Sequence, residues 1–127
     1  MSPETQQFQI AQNSDNVAVA ETYFAAIRSK DPAKALLASD VTLQFPLTLR
    51  KVVGKESVIE HISALFPGVD DVIVERHMTG GEYVATLWEA RSVWGNLHIC
   101  SVFRISGGMI HEIRSFWDPR PVLGIHP

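Results

Sequence analysis

The chain changes its hydrophobic period once, at Val69. Before that residue apolar side chains recur at helical spacing; after it they alternate, as on a strand with one face buried. Three glycine-bearing turns, Gly80-Gly81, Gly95-Asn96 and Gly107-Gly108, cut the second half into four β-rich segments of roughly ten residues each. That spacing predicts an antiparallel meander. Helices followed by a run of strands belong to the α+β class.

The first half supplies three predicted helices. Ser14 can cap the first, and Val17, Ala20, Phe24 and Ile27 form its apolar stripe with Tyr23 beside it. Asp31 as N-cap and Pro32 at the first helical position predict a short second helix over Ala33 to Ala38. The third runs from about Lys55 to Phe66 and stops at Pro67-Gly68. Between them, Val41 to Phe45 and Leu47 to Val53 read as extended segments broken at Pro46. Residues 1–13, polar and without periodicity, are expected to be a flexible lead-in. The domain proper then covers 14–118, and 119–127, which holds three prolines, is expected to be an extended tail.

Alternation assigns the faces of the sheet, because cross-strand partners share a face. Val84, Thr86, Trp88 and Ala90 form the uncharged face of their strand and are placed against the helices. A two-residue Gly95-Asn96 turn pairs Ala90 with Ser101 and Trp88 with Phe103. It sends Leu97, Ile99, Ser101, Phe103 and Ile105 inward. In the last strand a three-residue Gly107-Gly108-Met109 loop pairs Ser101 with Ser115, so that Met109, His111, Ile113, Ser115 and Trp117 face in and Ile110 faces out. The strand before Gly80 has two solutions. Apolar content favours Val72, Val74 and Met78 inward, with Arg76 among them, whereas a two-residue Gly80-Gly81 turn faces Ile73, Glu75 and His77 inward.

An inner face that sets Trp88, Phe103 and Trp117 beside Ala90, Ser101 and Ser115 encloses either interdigitated packing or a hollow walled by indoles. The second is the usual form of a small-molecule site. The charge of -3, without a basic face, argues against a nucleic-acid partner. No apolar run approaches the ~20 residues of a membrane span. A polar N-terminus without a leader pattern points to the cytoplasm. One cysteine, Cys100, excludes a disulfide framework and a Cys-rich zinc site. The five histidines show no metal-ligand spacing, and no cofactor motif occurs, so the expectation is a protein with neither metal nor cofactor. Tyr83, Leu87, Val102, Ile110 and Phe116 on the outer face make an apolar patch that predicts a homodimer.

The order of three helices, a Pro-broken strand pair, Gly54 at the start of the third helix and a four-strand meander resembles the nuclear transport factor 2-like superfamily. Its SnoaL-like branch is the nearest in pattern. Val102-Phe103-Arg104-Ile105-Ser106-Gly107-Gly108-Met109-Ile110-His111-Glu112-Ile113 is similar to that branch's final hairpin, and Arg114-Ser115-Phe116-Trp117-Asp118 to its aromatic-Asp ending. The resemblance implies a cone-shaped, curved antiparallel or mixed sheet with three N-terminal helices on its concave face, a cystatin-like α+β barrel. It also implies a deep pocket and, often, a dimer. Tyr23 matches the tyrosine that donates to the oxyanion in the superfamily's ketosteroid isomerases, and Trp117 a pocket tryptophan. Their catalytic aspartates, however, fall on Phe45 and Ser101, and the last-strand aspartate of limonene epoxide hydrolase falls on Ser115. Neither constellation is intact.

The candidate acid-base groups are therefore Tyr23, Glu75 and His77, and the candidate ligand-binding residues Phe45, Thr86, Trp88, Ser101, Phe103, Ser115 and Trp117. A Ser115-His111-Asp118 triad fails on geometry, since Ser115 and His111 lie about 13 Å apart along one strand. The function expected is binding of a small, mostly apolar organic molecule, with cofactor-free acid-base isomerisation, cyclisation or hydration. The alternatives are a non-catalytic binder of such a molecule and a dimeric protein-interaction module.

Overall fold

The computed structural model describes residues 3–125, with side chains from Asn13 onward. Helix α1 runs Pro3–Ser29, strand β1 Leu37–Gln44 and β2 Val52–Val53; helix α2 spans Lys55–Leu65. The meander follows as β3 Val69–Gly80, β4 Tyr83–Ser92, β5 Gly95–Ser106 and β6 Met109–Phe116. The six strands form one sheet in the order β2-β1-β6-β5-β4-β3, with β1 parallel to β6 and every other pair antiparallel. The fold is α+β, as expected. Its sheet is open and mixed, since β2 and β3 stand at opposite edges without pairing, and so the predicted barrel is corrected to an open sheet. Among the described residues, no helix is long and apolar enough to cross a membrane.

Two α-helices take the place of the predicted three. Asp31 does cap, accepting from the Ala33 N–H at 3.0 Å, but the segment that it starts is a single 3-10 turn, Pro32–Lys34. The chain is already extended at Leu37, whose buried side chain belongs to the core. Helix α1 starts earlier than the Ser14 cap allows, because no Pro or Gly interrupts the stretch from Thr5 onward. Ser14 is thus an interior helical residue, and the expected flexible lead-in is helical backbone from Pro3. Residues 1 and 2 lie outside the described residues, as do 126 and 127. The tail is not extended either. It turns back on itself through Ile125 N–H to Arg120 C=O (2.9 Å) and Leu123 N–H to Pro119 C=O (3.1 Å).

Three details of register decide the inner face. The β4–β5 turn is Val93-Trp94, not Gly95-Asn96, so that Trp88 pairs with Ile99 and Thr86 with Ser101. The slip from the predicted pairing is even, and an even slip leaves every side chain on its own face. Val84, Thr86, Trp88, Ala90, Leu97, Ile99, Ser101, Phe103 and Ile105 are all buried.

Next, β6 begins after a two-residue Gly107-Gly108 turn that pairs Ser106 with Met109, and His111 is then an extra residue against β5. A bulge of this kind restores the parity of a three-residue loop. Ser101 therefore still faces Ser115, while Ile110 becomes a fully buried core residue and leaves the predicted outer patch.

Finally, β3 carries a bulge at Glu75, between the pairs Val74–Trp88 and Arg76–Leu87. Each sequence solution holds for half of the strand. Val72 and Val74 face in before the bulge and His77 faces in after it, while Glu75, Arg76 and Met78 are exposed.

The core lies where α1 crosses this face. Val19, Ala20, Tyr23, Phe24, Ala26 and Ile27 pack on it at helical spacing, and α2 adds Val58 and Ile62.

Candidate ligand-binding hollow

Between α1, α2 and the inner face of the sheet lies a cavity of about 70 Å³. Tyr23 and Ile27 reach it from α1, Ile62 and Leu65 from α2, and Trp88, Ala90, Leu97, Ile99 and Ser115 from the sheet. Phe45 and Trp117 close one side with rings stacked at 6.5 Å between centroids, 19° from parallel. Trp94 and Val122 close another. Among the described residues, no Asp, Glu, His, Lys or Arg side chain lines it. Phe45 and Leu65 also wall a surface groove that continues over Leu47, Glu60, His61 and Ala64, so they divide the inner space from the outer.

The polar groups of the hollow are few, and all but the Tyr23 hydroxyl and the Trp94 indole belong to one hydrogen-bonded row. Trp88 donates its indole N–H to Ser101 Oγ at 2.9 Å, and Ser101 and Ser115 are joined through their hydroxyls at 2.7 Å. Tyr23 is 6% exposed, and its hydroxyl bonds to no described residue. Burial pushes its pKa well above that of a free phenol, so the group stays a neutral hydroxyl near pH 7, able to hydrogen-bond to a guest but not to act as a phenolate base. Its ring meets Phe24 and Phe103 edge-on at 5.6 and 5.2 Å.

The predicted acid-base set is not assembled. Tyr23 lines the hollow, whereas Glu75 is exposed on the outer face, sent there by its bulge. His77 faces inward but outside the hollow, in a cluster of its own. Its Nε2–H donates to Glu21 Oε1 at 2.6 Å, and its Nδ1 is hydrogen-bonded to Thr86 Oγ1 at 2.8 Å. Phe24 packs against both His77 (6.3 Å) and Trp88 (5.2 Å) and keeps the two polar groups apart. This row ties α1 to β3 and β4, and no residue of it is in the hollow.

Of the predicted ligand-binding residues, Phe45, Trp88, Ser115 and Trp117 line the space. Thr86, Ser101 and Phe103 are fully buried behind it, holding His77, Trp88 and Tyr23 respectively. His111 is at the edge, bonded through Nδ1 to Asp40 (2.9 Å) and through Nε2 to the Ser106 carbonyl (3.1 Å). Asp118 holds Arg120 by paired hydrogen bonds that keep its carboxyl below the usual range.

Sequence reasoning missed Trp94 and Val122. Trp94 sits in a turn, and what brings it over the hollow is Gly68. A Cβ at Gly68 would lie 2.3 Å from Trp94 Cη2, so only glycine lets the indole lie against that backbone. Gly68→Ala should therefore push Trp94 off the hollow, at a small stability cost because a side-chain tip can yield. Tryptophan emission should shift to longer wavelength, and an unchanged spectrum would show the indole elsewhere.

On the outer face Glu75, Glu89 and His98 bring ligand-type atoms within 4.8 Å of one another. The pairing of Glu89 with His98 and the bulge at Glu75 account for this closeness.

An open, curved mixed sheet with helices on one face and an apolar hollow between them defines the nuclear transport factor 2-like fold. The chain matches the SnoaL-like domain over residues 20–113 and belongs to that family. Solved structures agree. A candidate SnoaL-like polyketide cyclase from Jannaschia sp. CCS1 superposes with a TM-score of 0.77 at 18% identity, over 97% of this chain and 93% of that one. A candidate ketosteroid isomerase from Kribbella flavida gives 0.72 at 22%, over 84% and 79%. A nuclear transport factor 2-like protein of unknown function from Cytophaga hutchinsonii gives 0.73 at 14%, over 85% and 94%. At these identities the likeness is one of fold. None of the curated proteins is significantly similar in sequence.

Proposed function

We propose that this chain binds a small, uncharged, largely apolar organic molecule in the hollow between α1, α2 and the sheet. The observation that supports this reading is the lining itself: among the described residues it holds aliphatic and aromatic side chains with the Tyr23 and Ser115 hydroxyls and no charged group. An ion entering such a space would lose its hydration without gaining a partner, which is prohibitive. Apolar guests gain by the transfer alone, at about 25 cal/mol per Å² buried.

Binding is favoured over acid-base turnover, because among the described residues no carboxylate or imidazole lines the hollow, and the neutral Tyr23 hydroxyl is no general base near pH 7.

The test is to fill the space. Ala90 lines the hollow, and Ala90→Phe should occupy it while keeping the fold, at about 1–3 kcal/mol for overpacking. Thermal-shift and NMR titration with a panel of small cyclic ketones and hydrocarbons should show binding to the parent chain and at least about a 100-fold loss in the variant. Equal binding by both would move the site elsewhere.

A further inference from the structure

The row of hydroxyls behind the hollow has a direction, and the direction is fixed by burial. The Trp88 indole can only donate, so Ser101 Oγ accepts from it at 2.9 Å. Ser101 is fully buried, and the only other partner of its hydroxyl among the described residues is Ser115 Oγ at 2.7 Å. Were Ser115 the donor of that bond, Ser101 would accept twice and its own hydrogen would have no acceptor in a place that water does not reach. A buried donor left unmade is the expensive outcome. Ser101 therefore donates to Ser115. The hydrogen of Ser115 then has no acceptor among the described residues, and Ser115 lines the hollow.

The geometry points to Ser115 as a specificity-determining donor: the last hydroxyl of a one-way Trp88→Ser101→Ser115 relay, selecting guests that carry a lone-pair acceptor, a carbonyl oxygen above all. Each bond of the row polarises the next, so Ser115 is a better donor than an isolated serine. The relay ends in donation, so a carbonyl is matched and a hydrocarbon of the same shape is not. Thr86 and His77 do not enter this row, being bonded to each other and to Glu21.

This inference rests on the proposal that the hollow takes a small organic guest, and a matched pair of probes separates the two. Cyclohexanone and methylenecyclohexane have nearly the same shape and differ in the acceptor. NMR titration of the wild-type chain should show cyclohexanone bound about 2- to 10-fold more tightly, the range for one net neutral hydrogen bond. Ser115→Ala should shrink the preference below that of the wild type and of Tyr23→Phe, and Ser115→Thr, which keeps a hydroxyl, should retain it. Because the wild-type comparison needs no variant, a Ser115→Ala chain that failed to fold would leave the test intact. Equal binding of both probes by the wild type would overturn the donor role while leaving the hollow a binding site. Binding of neither would overturn both.

Discussion

Replacing Phe24 by alanine should cost this protein about 3–5 kcal/mol of stability, the range for removing a fully buried phenyl ring. Phe24 is 0% exposed and stands at the centre of the aromatic cluster, 5.6 Å from Tyr23, 5.2 Å from Trp88 and 5.8 Å from Phe103, each time at a steep interplanar angle. Those edge-to-face contacts add to the area that its ring removes from water. Because a domain of this size has about 5–15 kcal/mol in total, the variant should unfold at a much lower urea concentration. Phe116 serves as the comparison: it is 52% exposed and touched on its face by Arg114 at 5.4 Å, so Phe116→Ala should change stability by less than about 0.5 kcal/mol. A loss below about 1 kcal/mol for Phe24→Ala would mean that the core is centred elsewhere.

Alkaline solution should unfold the protein through Tyr23. Burial holds the folded-state pKa of this phenol above its ordinary value, and no hydrogen bond lowers it. Above about pH 10 the unfolded chain therefore releases the Tyr23 proton while the folded chain keeps it, so the folded state binds more protons and stability falls as pH rises. The slope is up to about 1.4 kcal/mol for each pH unit beyond 10. Below that the residue contributes nothing to the pH dependence. Urea midpoints of wild type and Tyr23→Phe measured at pH 9 and pH 11 should diverge, with the phenylalanine variant losing less. Parallel profiles would place the hydroxyl in water.

Much of this was legible in the alternation of the last four strands. Which side chains of β4 and β5 face the helices could be read from their composition, and it survived a wrong turn because the slip from Gly95-Asn96 to Val93-Trp94 is even. Where parity changes, inference from periodicity fails. Bulges at Glu75 and His111 each insert one residue, so Glu75 leaves the inner face and Ile110 joins it. No local signal marks either position. The length of the second helix was overread because the Asp31-Pro32 start is real and its continuation is not: Ala35 is already extended. Phe45, Trp88, Ser115 and Trp117 around the hollow were legible as inward strand or strand-end residues. Trp94 and Val122 were not, because each is brought there by a chain reversal far from its sequence neighbours in the core.

The bulges leave a mark on how this sheet can change length. At Glu75 and His111 two residues stand opposite one, and the pairs on either side, Val74 with Trp88 and Arg76 with Leu87, or Ile105 with Ile110 and Arg104 with Glu112, would meet in an unbroken ladder if the spare residue were deleted. A deletion there moves no other side chain through the sheet, whereas a deletion one strand over would turn half a strand inside out. Length variation among chains of this kind is therefore expected to collect at those two points and at Asp70, the spare residue between the pairs Val69–Ser92 and Asp71–Arg91.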